Sequence, residues 1–240
     1  MGLLDLTDEC TEAIDQWSGV VGAPNPNLRK KERIEVFQNQ FIESWFAISH
    51  PILPGVWFGP VIIAGPIIAG FDPTIGWGLS AALFAAGVLA WTLLEYVLHR
   101  WPFHYQPAPD FKSKQRVYLM HGYHHDFPND KWRLVAPPLM SWPLAVVVGG
   151  VYRLALGPGL WLPFFSGTVA GYLAYDWTHY YTHHFVPTSR LGKWLRRLHM
   201  IHHFNNPEVN HGISSPLWDF VFRTYSDQKR AASGSQTVEL

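Results

Sequence analysis

The sequence predicts an all-α integral membrane protein with four membrane-crossing helices. Three observations carry that prediction. There are four long runs without a charged side chain, Lys and Arg cluster in the connections, and 12 of the 13 His lie between His99 and His211. The 240 residues hold 18 Lys+Arg against 18 Asp+Glu, so net charge supplies no attraction for nucleic acid. Charged residues are 15% of the chain, against ~25% in an average soluble domain. The mean hydropathy lies near zero only because very apolar runs are averaged with polar, His-rich ones. The single cysteine, Cys10, excludes an intrachain disulfide framework and a cysteine-ligated zinc or iron–sulfur site.

The uncharged runs are Pro51–Phe71, Pro73–Leu94, Leu134–Tyr152 and Leu154–Tyr175, each close to the ~20 residues a helix needs to cross a bilayer. The first contains Pro54, Pro60 and Pro66, which predict a kinked or two-piece helix. The second is dense in Ala, Leu, Val and Phe over Leu79–Leu94. Only Arg153 and the turn signal Gly157-Pro158-Gly159 interrupt the third and fourth, which predicts a tight hairpin. Buried helices of a soluble protein are the competing reading, but one domain of this size rarely needs four such runs. GxxxG pairs at Gly55/Gly59 and Gly167/Gly171 are candidate close-packing sites.

Loop charges set the orientation. Arg29, Lys30, Lys31 and Arg33 precede the first run. Arg100, Lys112, Lys114, Arg116, Lys131 and Arg133 follow the second, and Arg190, Lys193, Arg196 and Arg197 follow the fourth. The connection around Asp72 carries none, so the positive-inside bias places both termini and the long central loop in the cytosol. Met1–Asp15 is acidic and polar, unlike a signal peptide. The organisation expected is a cytosolic or interfacial segment 1–50, a membrane domain 51–225 and a disordered tail 226–240.

The His come in groups: His99 and His104; His121, His124 and His125; His179, His183 and His184; His199, His202 and His203. On a helix, positions i, i+3 and i+4 share a face, so the second and fourth groups each present three imidazoles to one side, and His179/His183 present two. His184 lies about 100° round the helix from His183 and points elsewhere. Pro102 predicts a helix break between His99 and His104. All groups fall at the cytosolic ends of the predicted spans. Ten imidazoles exceed the capacity of one ion, so two metals with about five each is the economical reading, leaving an exchangeable position on each. Imidazole suits zinc, iron, copper and nickel alike, so ligand type does not name the metal. Glu95, one turn before His99, and Asp176, three residues before His179, are candidates to orient ligands through hydrogen bonds. Asp130 and Arg133 read as a loop-fixing ion pair, and spacing alone gives His50 and His211 no role.

The segments EYVLHRWPFH, HGYHHDFPNDKWRLVAPP, YDWTHYYTHH, LHMIHHF and GISSPLWDFVF resemble, in order, the motifs of the fatty acid 2-hydroxylases. These are sphingolipid-type α-hydroxylases of the membrane fatty acid hydroxylase/sterol desaturase superfamily, and the resemblance spans about Phe37–Tyr225. It implies four spans capped by a cytosolic helical unit with a dimetal site, iron in the active enzyme, with zinc as an occupant on isolation. It also implies use of O2 and two electrons to hydroxylate C2 of an acyl chain. The ligands carried over are His99, His104, His121, His124, His125, His179, His183, His199, His202 and His203. Some members carry a fused cytochrome b5; here no redox-cofactor motif is found, so a separate cytochrome b5-like or ferredoxin-like donor is expected. His211 stands where an aromatic is usual and Arg223 where Gly is usual, both as candidate linings of the substrate entrance. The lipid substrate is open between free fatty acid, acyl-CoA and ceramide. The setting expected is the endoplasmic reticulum of a eukaryote or the inner or plasma membrane of a bacterium.

Two rivals remain at this stage. One is another lipid oxidase or desaturase on the same scaffold, acting on a sterol, carotenoid or ether lipid. The other is a His-rich metal transporter, which should place ionisable groups near the midplane of its spans rather than at their ends. The topology is testable with single cysteines in a Cys10-free background and an impermeant maleimide. A cysteine at Asp110 is expected to react from the cytosolic side; reaction only from the opposite side overturns the orientation.

Overall fold

In the computed structural model the described residues are 2–23 and 32–228. Arg29, Lys30 and Lys31, and the expected tail beyond residue 228, lie outside them. The described residues are helical, with one isolated antiparallel bridge between Leu6 and Phe37.

Two short helices open the chain, α1 (Asp8–Gln16) and α2 (Gln40–Trp45). Each begins on a polar cap: Thr7 accepts from Cys10 N–H, and Asn39 from Phe41 and Ile42 N–H. The buried face of α1, with Cys10, Ile14 and Trp17, joins Ile34, Val36 and Phe37 in packing on Val117, Tyr118, Tyr123 and Phe127. Those partners come from the loop after the second span, which folds as α5 (Phe111–Val117), a π-helical turn Tyr118–Gly122 and α6 (Tyr123–Asp126). Arg133 fastens this layer: it pairs with buried Glu43 and, at 3.3 Å, with Asp130, the loop pair expected from the sequence.

Three helices are long and apolar enough to cross a membrane: α3 (Leu53–Phe71), α4 (Gly76–Leu98, extended by a π-helical turn to Phe103) and α7 (Pro138–His184). Large apolar side chains such as Val56, Ile63, Leu89, Val147 and Leu154 face outward, as lipid-facing surfaces require. Despite Pro60 and Pro66, α3 runs as one continuous helix from Leu53 to Phe71, not in two pieces. Hydroxyls from its neighbours cover its carbonyls: Ser166 donates to Val61 O and Ser80 to Pro66 O, both at 2.8 Å.

The third and fourth uncharged runs both fall within α7. Gly157 breaks its helical geometry at φ 75°, ψ 178°, a conformation open essentially to glycine. Pro158 adds its own bias against an α-conformation in the residue before it. Beyond it the chain doubles back, because Tyr152 and Phe164 meet edge to face at 4.9 Å although 12 residues of straight helix would separate them by ~18 Å. The hairpin at 157–159 is therefore present.

The returning arm of α7 packs on α4 through glycines at backbone distance. A methyl at Gly167 would fall on the carbonyl oxygen of Phe84, and one at Gly87 on that of Phe164. Gly171 sits against Trp91, whereas Gly59 has open space beside it, so only one of the two GxxxG pairs makes this contact in full. Beyond these spans, α8 (Arg190–Phe204) starts on Ser189 and α9 (Leu217–Val221) closes against α4.

The neighbour at Gly167 is backbone and cannot move aside. Gly167→Leu is expected to cost at least about 1–3 kcal/mol by overpacking, read as a lower midpoint of thermal aggregation in detergent. Gly59→Leu should leave that midpoint near wild type.

Candidate metal centre

Each His cluster arrives from a different element. His99 opens the π-helical turn His99–Phe103, and His121 lies in the second, Tyr118–Gly122. Such turns widen a helix by one residue and frequently mark functional sites. Pro102 sits inside the first, so the helix widens where the sequence predicts a break, and His104 comes to lie 5.0 Å from His99, ring to ring. His124 and His125 are on α6, His179 and His183 end α7, and His199, His202 and His203 end α8.

The ten imidazoles form two groups of five. His99, His104, His121, His125 and His202 make one; His124, His179, His183, His199 and His203 make the other. Within each, the ligand atoms lie within 4.8 Å of one another. Both same-face triplets are divided between the groups. Pairs at i, i+4 stay together (His121/His125, His179/His183 and His199/His203), and the residue beside each triplet's pair, His124 or His202, joins the other group. At 100° per residue, i+4 is only about 40° from i, while i+3 lies about 100° from i+4. One helix end can thus serve two ions.

The donor set fits metal ions. Nε2 of His121 lies 3.0 Å from that of His99 and 3.1 Å from that of His125. Nε2 of His124 lies 2.9 Å from those of both His179 and His203, and the His183–His199 separation is 2.7 Å. Two nitrogens each ~2.1 Å from one ion at a right angle would be about 3 Å apart. Tautomers agree with this. Nδ1 of His99 lies 2.6 Å from His211 O, and Nδ1 of His202 lies 2.8 Å from Val209 O. A carbonyl only accepts, so each Nδ1 carries the proton and, in the neutral ring, Nε2 presents a lone pair. Nε2 of His104 and of His202 are buried without a hydrogen-bond partner in the protein, as free ligand atoms would be. Burial, and then the neighbouring imidazoles, lowers the pKa of His104, His121, His124, His199, His202 and His203 below the ordinary value, keeping the rings neutral and able to bind a cation.

The remaining candidates sit around this core. Glu95 accepts from Ile213 and Ser214 N–H and from the Ser214 hydroxyl, and touches no imidazole. Asp176 accepts from Ala136 N–H at 3.1 Å and Tyr172 OH at 3.3 Å. His184 packs on Tyr180, outside both groups, and His50 is exposed beside Trp132. His211 is buried, its ring 5.5–5.6 Å from those of His99, His104 and His202. Neither His211 nor Arg223 lines the cavity described next. Arg223 is exposed at φ 59°, the left-handed region that favours glycine, a backbone reason for the usual Gly there.

A cavity of about 100 Å³ runs between α3, α4 and both arms of α7. Phe58, Trp91, Leu98, Val148, Phe165 and Val169 form its apolar walls, and it ends on His121, His124 and His179, which come from both groups. Of Trp91, Trp142, Trp161, Trp177 and Tyr180, the aromatics a lipid route could use, Trp91 lines it.

The fatty acid hydroxylase family profile matches residues 84–224. The chain is 39% identical over 194 residues to the dihydroceramide fatty acyl 2-hydroxylase FAH2 of Arabidopsis thaliana, covering 80% of this chain and 77% of that one. It is 38% identical over 154 residues to the human fatty acid 2-hydroxylase, covering 61% of this chain and 40% of the relative. Among solved structures it is similar to the hydroxylase domain visible in full-length Scs7p, with a TM-score of 0.75 and 30% identity over 82% of this chain and 74% of that one.

Elemental analysis of the purified chain is expected to find two ions. His124→Ala and His203→Ala should each lower that number, while His184→Ala and His50→Ala should not. One ion or none in the unmodified protein overturns the two-site reading.

Proposed function

The chain belongs to the fatty acid hydroxylase family, and we propose that it inserts a hydroxyl at C2 of a long acyl chain carried as free fatty acid, acyl-CoA or a ceramide-type lipid. One observation carries this reading: an apolar cavity between membrane helices ends on imidazoles drawn from both five-His groups. An alkyl chain can partition into that cavity from the bilayer, while its carbonyl end stays at the polar rim.

The division of labour follows from the chemistry. An unactivated C–H bond offers no acid–base handle, so the two metal ions, iron in the active enzyme, would supply O2 activation and oxidising power. The chain's residues position and shield. Trp91, Phe165 and Val169 hold the alkyl chain along the α4–α7 groove and exclude water. On α7 the lining runs from Phe165 to His179, about 21 Å of helix at 1.5 Å per residue, so the tail lies along α7 while its first carbons reach the imidazoles. Arg133 lies at the same end of the cavity, its charge balanced by Glu43 and Asp130. One oxygen atom enters the C–H bond; the other leaves as water with two electrons and two protons. The electrons come from a cytochrome b5-like or ferredoxin-like donor.

The membrane arrangement belongs to the same proposal. Each arm of α7 crosses once, giving four spans; residues 1–50 and the connections bearing the His form a cap on the cytosolic side; and 51–225 are the membrane domain. Lys112, Lys114, Arg116 and Lys131 in the loop beside the metal groups support that orientation.

The test is to express the chain with a reductase system, feed C2-deuterated palmitate, and analyse hydrolysed lipids by mass spectrometry under labelled O2. Loss of one C2 deuterium with gain of one labelled oxygen is expected. A new double bond, oxygen at mid-chain, or an altered sterol or carotenoid instead assigns the scaffold a different reaction.

A further inference from the structure

We propose that Glu95 and Asp219 are positioning residues for the group His99, His104, His121, His125 and His202, acting through the segment Val209–Ser214, which they grip from opposite sides. The proposal rests on the two-site reading above.

Four consecutive backbone N–H groups of this segment end on these two carboxylates. His211 and Gly212 donate to the two oxygens of Asp219 at 2.9 and 2.8 Å. Ile213 and Ser214 donate to one oxygen of Glu95 at 2.6 and 2.8 Å, and the Ser214 hydroxyl donates to the other. Glu95 is 3% exposed and Asp219 not at all, so these acceptors work where water does not compete. The Thr224 hydroxyl adds a bond to Asp219 at 2.7 Å, and the Asn210 amide ties the segment to Leu198 O and Ser226 O. Asn210 itself is held at φ 58°, a left-handed conformation that Asn tolerates better than most residues.

What this segment presents is the pair of carbonyls that fix two metal-binding rings. Val209 O takes Nδ1–H of His202 and His211 O takes Nδ1–H of His99. Both rings belong to the same group. In the other group, Nδ1 of His199 and of His203 has no such partner in the protein. Glu95 also stands one turn before His99 on α4, so one helix carries both a ligand and the anchor of that ligand's acceptor. If either grip is lost, the two carbonyls shift and one group is misaligned while the other is untouched. Removing hydrogen-bond partners that orient ligands typically costs 10–100-fold in metal affinity.

The variants separate this role from general fold support. Asp219→Asn puts an amide NH2 against a backbone N–H in either orientation, that of His211 or that of Gly212. Glu95→Ala removes both acceptors. Glu95→Gln keeps one oxygen for the two N–H groups and turns its NH2 toward the Ser214 hydroxyl, which can accept, so it should rescue. Glu43→Gln is the control for general fold support: Glu43 is a buried carboxylate that holds the N–H groups of Val36 and Phe37 and pairs with Arg133 in the layer carrying His121, His124 and His125, ligand candidates of both groups, so its loss should not single out one ion.

Full-length protein in detergent, loaded with zinc alone, is mixed with a chelator, and metal per chain is followed with time. In Asp219→Asn and Glu95→Ala one of the two ions is expected to leave 10–100-fold faster, with the other ion's rate and the helical circular dichroism unchanged. Glu95→Gln is expected to match the unmodified chain, and Glu43→Gln to leave the ratio of the two ions' release rates unchanged. Equal acceleration of both ions, or of neither, overturns the proposal. An unmodified chain that holds fewer than two ions overturns the two-site reading itself, whatever the variants do.

Discussion

Ten imidazole rings packed so that their nitrogens approach to about 3 Å are the constraint on which the rest of this protein depends. Such a cluster cannot be protonated, because several cations within 4.8 Å of one another and out of water would repel strongly. Nor can the short nitrogen–nitrogen approaches all be hydrogen bonds, since a neutral ring has one N–H, and in His99 and His202 a backbone carbonyl already takes it. What remains is a set of lone pairs aimed at shared points. That arrangement is costly for a metal-free protein, and the surrounding fold is built to hold it.

The frame is stiff where the rings attach. The α4–α7 pair, whose ends carry His99 and His179/His183, is packed at backbone distance through Gly87 and Gly167. The layer formed by α1, residues 34–37 and α5–α6 holds His121, His124 and His125 from the other side through a core that includes Trp17, Tyr118 and Tyr123. The buried Arg133–Glu43–Asp130 cluster joins this layer to the start of α7. The two π-helical turns fit the same purpose: each changes the local helical phase just where a ligand must turn toward its group.

Much of this was legible in residue order, and the misses have physical causes. Runs free of charge mark the long helices because a charge in hydrocarbon is expensive, and Gly157-Pro158-Gly159 marks the reversal because few other sequences fit that backbone. The ten imidazoles that gather into the two groups were legible as candidate ligands from spacing together with the family resemblance. Their partition was not, because same-face reasoning treats i+3 and i+4 as equivalent, and the 100° between them matters once two ions sit side by side. Pro102 and the prolines of α3 read as helix breakers, yet a wider turn absorbs the first and α3 runs on through Pro60 and Pro66 as one helix. Glu95 was singled out for standing near His99, but nothing local shows that its partners lie more than a hundred residues away, at Ile213 and Ser214. In the segment GISSPLWDFVF the sequence leaves Asp219 open between orienting a ligand and fixing a loop; only the fold brings it onto the backbone of His211 and Gly212.

The place of the cavity follows from the same cluster. An alkyl chain gains ~0.8 kcal/mol per buried CH2 relative to water, but almost nothing on moving from lipid into an apolar cleft. Binding in the groove of Phe58, Trp91 and Phe165 is therefore worth little for the tail itself, and selectivity must come from shape and from the polar end. Toward that end the wall passes from Leu98 and Val169 through Tyr172, Tyr175 and Asp176 to His121, His124 and His179, and Arg133 also lines it. A carbonyl head stopped at this boundary leaves the carbon next to it closest to the imidazoles of both groups. Deeper carbons lie along a wall that is mostly apolar, through Phe58, Val148, Phe165 and Val169. On this geometry the position attacked is set by where the head stops, not by the length of the tail, which is the behaviour expected of a hydroxylation adjacent to a carbonyl.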